Sequence, residues 1–299
     1  MFFKKRYLKK LYIRPARDPG GRSAIAIPFV VKGETDILGE WLEHNLDLGI
    51  DYFIVYDDAS PPETLEIIRE KLSTDQYSII PWTMKVALEA SCQSIHPQVL
   101  AFAHAILNFR DRFRHLAFID PDEFIVPKNH LTLDEGLESL DHFPNISLPW
   151  HMFGRSGHMQ RPKGDVGTNF LQRQRQILTY DGTCQFKCIV DPFTVSMVSV
   201  HRFETHEYGD LTINDLGVRA KNSKRLDKGF ISSKNLQLNH YYTRSNEELL
   251  LKIARGQNED RKIAADGGHI MKRVMAIEKD TVLDTSLPDF RERRRQAMN

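Results

Sequence analysis

The 299-residue chain carries 41 Lys+Arg against 40 Asp+Glu, a net charge of +1, with 41% apolar residues. That length buries the core of one large α/β domain, or of one domain with an appendage, and the charge balance excludes a dedicated nucleic-acid binder, which carries a strongly basic domain. No apolar run approaches the roughly 20 residues that cross a bilayer, and the odd set Cys92, Cys184 and Cys188, with no second Cys/His pair at zinc spacing, reads as buried free thiols in a reducing, cytoplasmic setting.

Residues 1–23 read as a basic N-terminal tail, with Lys4, Lys5, Arg6, Lys9 and Lys10 but no apolar core of a secretory signal. A buried strand is predicted from Ala24 to Val31, followed by a turn at Lys32-Gly33-Glu34. Ile37, Leu38, Trp41, Leu42, Leu46 and Leu48 then recur at helical spacing up to Gly49. A second strand, Tyr52 to Tyr56, runs into Asp57-Asp58-Ala59-Ser60. Ser60-Pro61-Pro62-Glu63 reads as a capping box opening a helix through Leu65, Ile68 and Leu72. A third strand, Tyr77 to Pro81, completes β-α-β-α-β, the signature of a parallel sheet with right-handed crossovers. Such sheets bind ligands beyond the carboxyl ends of their strands, where Glu34, Asp57 and Asp58 stand.

A helix predicted from Pro97 to about Phe113 delivers the chain into an apolar run, Leu116 to Ile119, and then Asp120-Pro121-Asp122-Glu123. Three carboxylates this close repel one another unless a cation or a donor compensates. The stretch is either a Mg²⁺ or Mn²⁺ site shared with substrate phosphates or a solvated acidic turn. Thr132 with Glu135 forms another capping box, before a short helix to Leu140. A strand from Ile146 to Trp150 leads to a polar loop, Phe153 to His158. Phe186 to Val190 and Val198 to Phe203 read as strands, Gly209 to Gly229 as a loop, and Gln237 to Tyr242 as the last strand. Ser245 and Glu248 cap a helix to about Arg255, and residues 257–299 form a helical tail. Its Arg291, Arg293, Arg294 and Arg295, like the basic N-terminus, are either solvated or touch the anionic inner face of the membrane.

Taken in order, several of these pieces form one pattern: Lys32-Gly33-Glu34 before the Glu40-Trp41 helix; Leu48-Gly49-Ile50-Asp51 running into Tyr56-Asp57-Asp58-Ala59-Ser60; Phe118 to Phe124; Trp150, Phe153-Gly154 and Ser156-Gly157; and Asn239-His240-Tyr241 before the last capped helix. Over residues 24–256 the chain resembles the bacterial glycosyltransferases of family 2 and family 92 type. The resemblance implies a GT-A fold: an α/β, Rossmann-like, mostly parallel sheet flanked by helices, with a strand-rich acceptor-side half and C-terminal helices. It implies metal-dependent, inverting transfer from a nucleotide-diphospho-sugar, usually a UDP-sugar, to a glycan or lipid-linked acceptor.

By the same resemblance Asp120 and Asp122 carry the catalysis and, with His240, hold Mn²⁺ or Mg²⁺. Glu34, Asp57, Asp58, Asp120 and Lys187 become donor contacts, and Trp150, Phe153 and His158 acceptor-side contacts. Asp165, Asp191 and Glu204 are candidates for the general base that activates an acceptor hydroxyl, and His201 for a phosphate or acceptor contact. Each has a plainer reading, as a turn cap, a core aromatic, a satisfied histidine or, for Lys187, a solvated strand residue. A nucleotide-sugar-binding protein without turnover is the alternative function.

Overall fold

The computed structural model describes residues 7–14, 20–87, 94–177, 184–255 and 266–298. Past a two-residue strand β1 (Leu11–Tyr12), strand β2 (Ser23–Val31) is almost wholly buried, because Ala24 to Val31 offer no polar side chain. Gly33, at φ +80°, turns the chain into helix α1 (Thr35–Asp47); a Cβ there would stand 3.3 Å from Pro61. Strand β3 (Tyr52–Asp57), helix α2 (Pro62–Lys71) and strand β4 (Tyr77–Pro81) follow, then helix α3 (Pro97–Phe109) and strand β5 (Phe113–Phe118). Strand β2 pairs in parallel with β3 on one side and β5 on the other, and β3 with β4. Alternate side chains sort to the two faces. Phe53 and Val55 join Trp41 and Ile68 under α1 and α2, while Ile54 and Tyr56 join Phe102 under α3.

Strand β6 (Glu123–Pro127) comes next, then helix α4 (Leu133–Leu137) and strand β7 (Asn145–Met152). The strand-rich second half holds helix α5 (Val166–Asn169) and strands β8 (Gln172–Gln174), β9 (Phe186–Val190), β10 (Val195–Val198), β11 (Phe203–Thr205), β12 (Leu211–Ile213), β13 (Arg219–Lys221) and β14 (Leu236–His240). Helices α6 (Asn246–Arg255) and α7 (Asp266–Glu278), strand β15 (Thr281–Leu283) and helix α8 (Ser286–Met298) end the chain. The main sheet runs β13-β12-β7-β9-β5-β2-β3-β4, and β14 joins it beside β7 and carries β6 on its other edge. It is parallel from β5 to β4 and mixed beyond, because β9 runs antiparallel to both β5 and β7.

Several local expectations change. Ser60 does not cap α2: Pro61 is the N-cap residue, and the Ser60 hydroxyl donates to Val31 O (3.2 Å) while accepting from Gly33 N–H (3.3 Å). The Thr132 and Ser245 boxes do form, each hydroxyl accepting at 3.2 Å from the N–H of Glu135 or Glu248. Helix α3 stops at Phe109, since Phe113 already pairs with Ser23 in the sheet. The run from Val198 to Phe203 is a hairpin turn between β10 and β11, whose ends pair as Val198 with Phe203. The supposed loop from Gly209 to Gly229 contains the antiparallel pair β12 and β13, and β15 follows β14 to pair with β8. Cys184 and Cys188 are buried and free; Cys92 lies outside the described residues.

Residues 266–298 pack on the sheet domain. Val274, Ile277, Leu287 and Phe290 belong to the same core as Trp41 and Phe124. Arg291 pairs with Glu40 (2.8 Å) and Asp165 (3.0 Å), and Arg293 donates to Pro127 O (2.7 Å). Among the described residues, no helix is long and apolar enough to cross a membrane.

Candidate active site

Strand β2 has β3 on one side and β5 on the other, and the chain reaches those neighbours by crossovers in opposite directions. This is a topological switch point, where the loops beyond the carboxyl ends diverge and leave a crevice. Glu34 follows β2, Asp57 and Asp58 close β3, and Asp120 to Glu123 follow β5. The Asp120 turn is fixed by main chain: Glu123 N–H donates to Asp120 O (2.9 Å) and Tyr241 N–H to Asp122 O (2.9 Å). Trp41 Nε1 donates to Glu123 O at 2.7 Å, so α1 also grips the turn.

Register brings His240 in. Strand β14 lies antiparallel to β6 with His240 opposite Glu123. His240 Nε2 stands 3.4 Å from Asp122 Oδ2, and single ligand atoms of Asp122, Glu123 and His240 all lie within 4.8 Å of one another. Glu123 Oε1 and His240 Nδ1 are buried and have no partner among the described residues. Burial lowers the pKa of His240, against the pull of Asp122, which favours the neutral imidazole that binds metals. Burial pushes Asp122 the other way, but His240, Lys252 and Arg244 outweigh it and hold this carboxyl well below the usual range. The Glu123 carboxyl is raised by burial and by Asp120 and Asp122, against Lys187. Glu34 is raised by burial, against the Lys32 N–H it accepts (2.6 Å), and Asp122 and Asp120 add to the rise. Two carboxylates and an imidazole, with unspent polar atoms in a buried place, fit Mn²⁺ or Mg²⁺.

Asp120, expected beside Asp122 in the ligand set, turns elsewhere. Its two oxygens accept from Gln98 Nε2 and Lys187 Nζ, each at 2.7 Å. Lys187 is not a solvated strand residue: its side chain is 1% exposed, and its ammonium is also 3.7 Å from Glu123. It arrives there because β9 runs antiparallel to β5, with Cys188 opposite Phe118. Asp58 pairs with Lys32 (3.0 Å), and Asp57 accepts from Ser60 N–H (2.9 Å). Trp150 packs its ring 4.4 Å from that of His240 and 5.2 Å from His201, and its indole N–H is buried without a partner among the described residues. Phe153 lies in the core against Tyr241. His158 donates to Asn169 O (3.0 Å) and stacks edge-on against Phe170, remote in sequence and partners from the acidic turn.

Two of the base candidates pair with arginines outside this cluster. Asp191 pairs with Arg22 (2.8 Å), whose guanidinium also reaches Phe113 O at the opposite end of β5, and Asp165 pairs with Arg291. Sequence reasoning counted Glu123 in the acidic stretch but left it out of the ligand set, and passed over Gln98 and Lys252. The signal for Glu123 was its place in a dense acidic turn. Lys252, whose ammonium lies 3.9 Å from Asp122 and 3.8 Å from the Tyr242 ring centre, gave none beyond its position in the helix after His240.

A parallel nucleotide-type half, an acidic turn at its switch point and a mixed-strand half beyond define a GT-A type α/β domain. The chain belongs to glycosyltransferase family 92, whose sequence model matches residues 29–266. A family 92 protein of Oryza sativa subsp. japonica is 25% identical over 151 residues, covering 48% of this chain and 24% of the relative. One of Arabidopsis thaliana is 24% identical over 209 residues, covering 64% and 33%. The chain therefore matches only about a quarter to a third of the length of these curated relatives. Among solved structures, S. aureus TarS 1-349 in complex with UDP is 18% identical at a TM-score of 0.33, over 56% of this chain and 47% of that one. Core-mannan synthase A (CmsA/Ktr4) from Aspergillus fumigatus, in its Mn/GDP form, is 9% identical at a TM-score of 0.29, over 60% and 62%.

Proposed function

We propose that this chain transfers a sugar, with inversion, from a nucleotide-diphospho-sugar, in the first place a UDP-sugar, to a glycan or lipid-linked acceptor. The observation that carries the reading is the convergence of Asp122, Glu123 and His240 at the β2/β5 switch point, inside a family 92 domain. Asp122, Glu123 and His240 are the residues that would hold Mn²⁺ or Mg²⁺. Such an ion supplies charge neutralisation for the departing nucleoside diphosphate. Lys252 and Arg244 add positive charge on the same side, suited to diphosphate oxygens. Asp120 is held rigid by Gln98 and Lys187 and presents a fixed carboxylate edge to the donor. Glu34, Asp57 and Asp58 line the base and ribose end. Trp150 offers its unspent N–H and ring face where acceptor and donor sugars meet.

A thermal-shift titration tests the donor. A UDP-sugar at about 100 times its dissociation constant, with Mn²⁺, adds about 2.7 kcal/mol, a rise of roughly 5–10 °C for a domain of this size. Slow release of UDP without acceptor is expected too, and separates an enzyme from a binding protein. If no nucleotide sugar moves the melting curve in the presence of Mn²⁺, the donor assignment fails.

His240→Ala separates a ligand from a packing residue. As a ligand, its loss raises the Mn²⁺ concentration at half-activity by about tenfold or more, equivalent to ~1.4 kcal/mol. The His240 ring also packs on Trp150 and Tyr242. Were that its whole role, the variant would melt lower with an unmoved metal midpoint, and His240 would leave the metal set.

A further inference from the structure

A groove of about 530 Å³ opens on the α3 side of the sheet, away from the acidic turn. Strand β1, the residues after β4 and the outer side of α3 wall it, through Leu11, Ile13, Ile80, Trp82, Leu100 and Leu107. Three large apolar side chains stand on its rim in the open: Tyr12 is 75% exposed, Met84 49% and Leu107 51%. Exposed apolar surface gathered in one place marks an interaction site.

The segments that wall the groove carry basic residues, and the acid nearest to them in the chain, Asp111, pairs with Arg110 (3.9 Å). Residues 7–14, 80–87 and 97–110, which supply most of its walls, contain Lys9, Lys10, Arg14, Lys85 and Arg110 and no Asp or Glu. In a chain whose charges nearly cancel overall, that is segregation. Three of the polar side-chain atoms that line the groove are already committed. Trp82 Nε1 donates to Pro97 O (3.0 Å), His104 Nδ1 bonds the Tyr56 hydroxyl (2.9 Å), and Asn108 Nδ2 donates to His104 O (2.9 Å). A bound peptide needs partners for its own N–H and C=O groups. A hydrocarbon chain needs none.

We propose that this groove is a membrane-docking surface, which admits acyl chains of a bilayer while the surrounding cations contact anionic headgroups. An apolar face beside Lys and Arg is the usual make-up of an interfacial binder. The surface is distinct from the Asp122 cluster and does not depend on the donor assignment. Helix α3 links the two, because its first turn carries Gln98, which holds Asp120, and the groove lies further along the same helix.

Vesicle co-sedimentation of the full chain tests it, with phosphatidylcholine alone and with phosphatidylglycerol added. Binding to the anionic vesicles should be tighter by about tenfold or more and should fall with salt. Met84→Gln with Leu107→Gln leaves the charge unchanged and should weaken it about tenfold, as should Lys9→Gln with Lys10→Gln. All four positions are exposed, and the variants' circular dichroism should match the parent's. Equal sedimentation with both vesicle types, or binding that survives both double variants, overturns the proposal. So does a concentration-dependent dimer, lost in Met84→Gln with Leu107→Gln, that forms without vesicle binding: the groove would then belong to a second copy.

Discussion

Asp122→Asn and Asp122→Ala should lose transfer by about 10²–10³-fold or more, about 3–4 kcal/mol of transition-state stabilisation, while the protein still folds. The two halves of that result have separate causes. Activity falls because Asp122 is the one member of the trio that combines partial exposure, 24% of its side chain, with a carboxyl held ionised by His240, Lys252 and Arg244. Fold survives because the turn is held by backbone: Glu123 N–H to Asp120 O and Tyr241 N–H to Asp122 O remain in both variants. Removing this charge also relieves Glu34 and Glu123, whose carboxyls Asp122 pushes upward, and this offsets the lost attraction to His240 and Lys252. Transfer assays and melting curves on both variants check it. Near-parental transfer would remove Asp122 from the reaction, and unfolding would make the acidic turn a structural element.

The parallel half was legible because its signals are local. Apolar runs bounded by Gly33 and Gly49, and helical stripes through Trp41 and Ile68, depend on neighbours a few residues away, and β3 and β4 begin where the periodicity places them. The acidic turn was legible for the same reason. The segment from Val198 to Phe203 misled because Val-Ser-Val-His-Arg-Phe alternates like a strand, whereas Ser199 N–H closes a turn onto Arg202 O (3.0 Å). Register across the sheet was not legible. Nothing near Lys187 in the chain says that Cys188 will sit opposite Phe118, yet that pairing turns a lone lysine into the buried counter-ion of Asp120. The choice between Asp120 and Glu123 as partner of Asp122 and His240 rests on the same long-range fact.

Lys187→Met should be the most destabilising single change near the site, by about 3–5 kcal/mol, a fall of roughly 10 °C in melting temperature. Met fills nearly the same space but removes the ammonium between Asp120 Oδ2 (2.7 Å) and Glu123 Oε2 (3.7 Å). Glu123 is fully buried, and without Lys187 it faces Asp120 and Asp122 with no cation between them. Burial alone would lower the lysine's pKa, but Asp120 and Glu123 outweigh it and raise it, so at neutral pH the wild-type cluster contains the charged ammonium. The loss therefore comes from stranded carboxylates and not from a cavity, and the two causes are separable. Adding Glu123→Gln to Lys187→Met removes a buried carboxyl that, without the ammonium, must either stay charged unpaired or take up a proton, and should recover about half or more of the lost stability, whereas a cavity would be left untouched. Denaturant melts of the parent, the two single variants and the double variant complete the cycle. A Lys187→Met protein that melts within about 2 °C of the parent, or a double variant no better than the single one, would show that the Asp120–Lys187–Glu123 cluster does not hold the acidic turn in place.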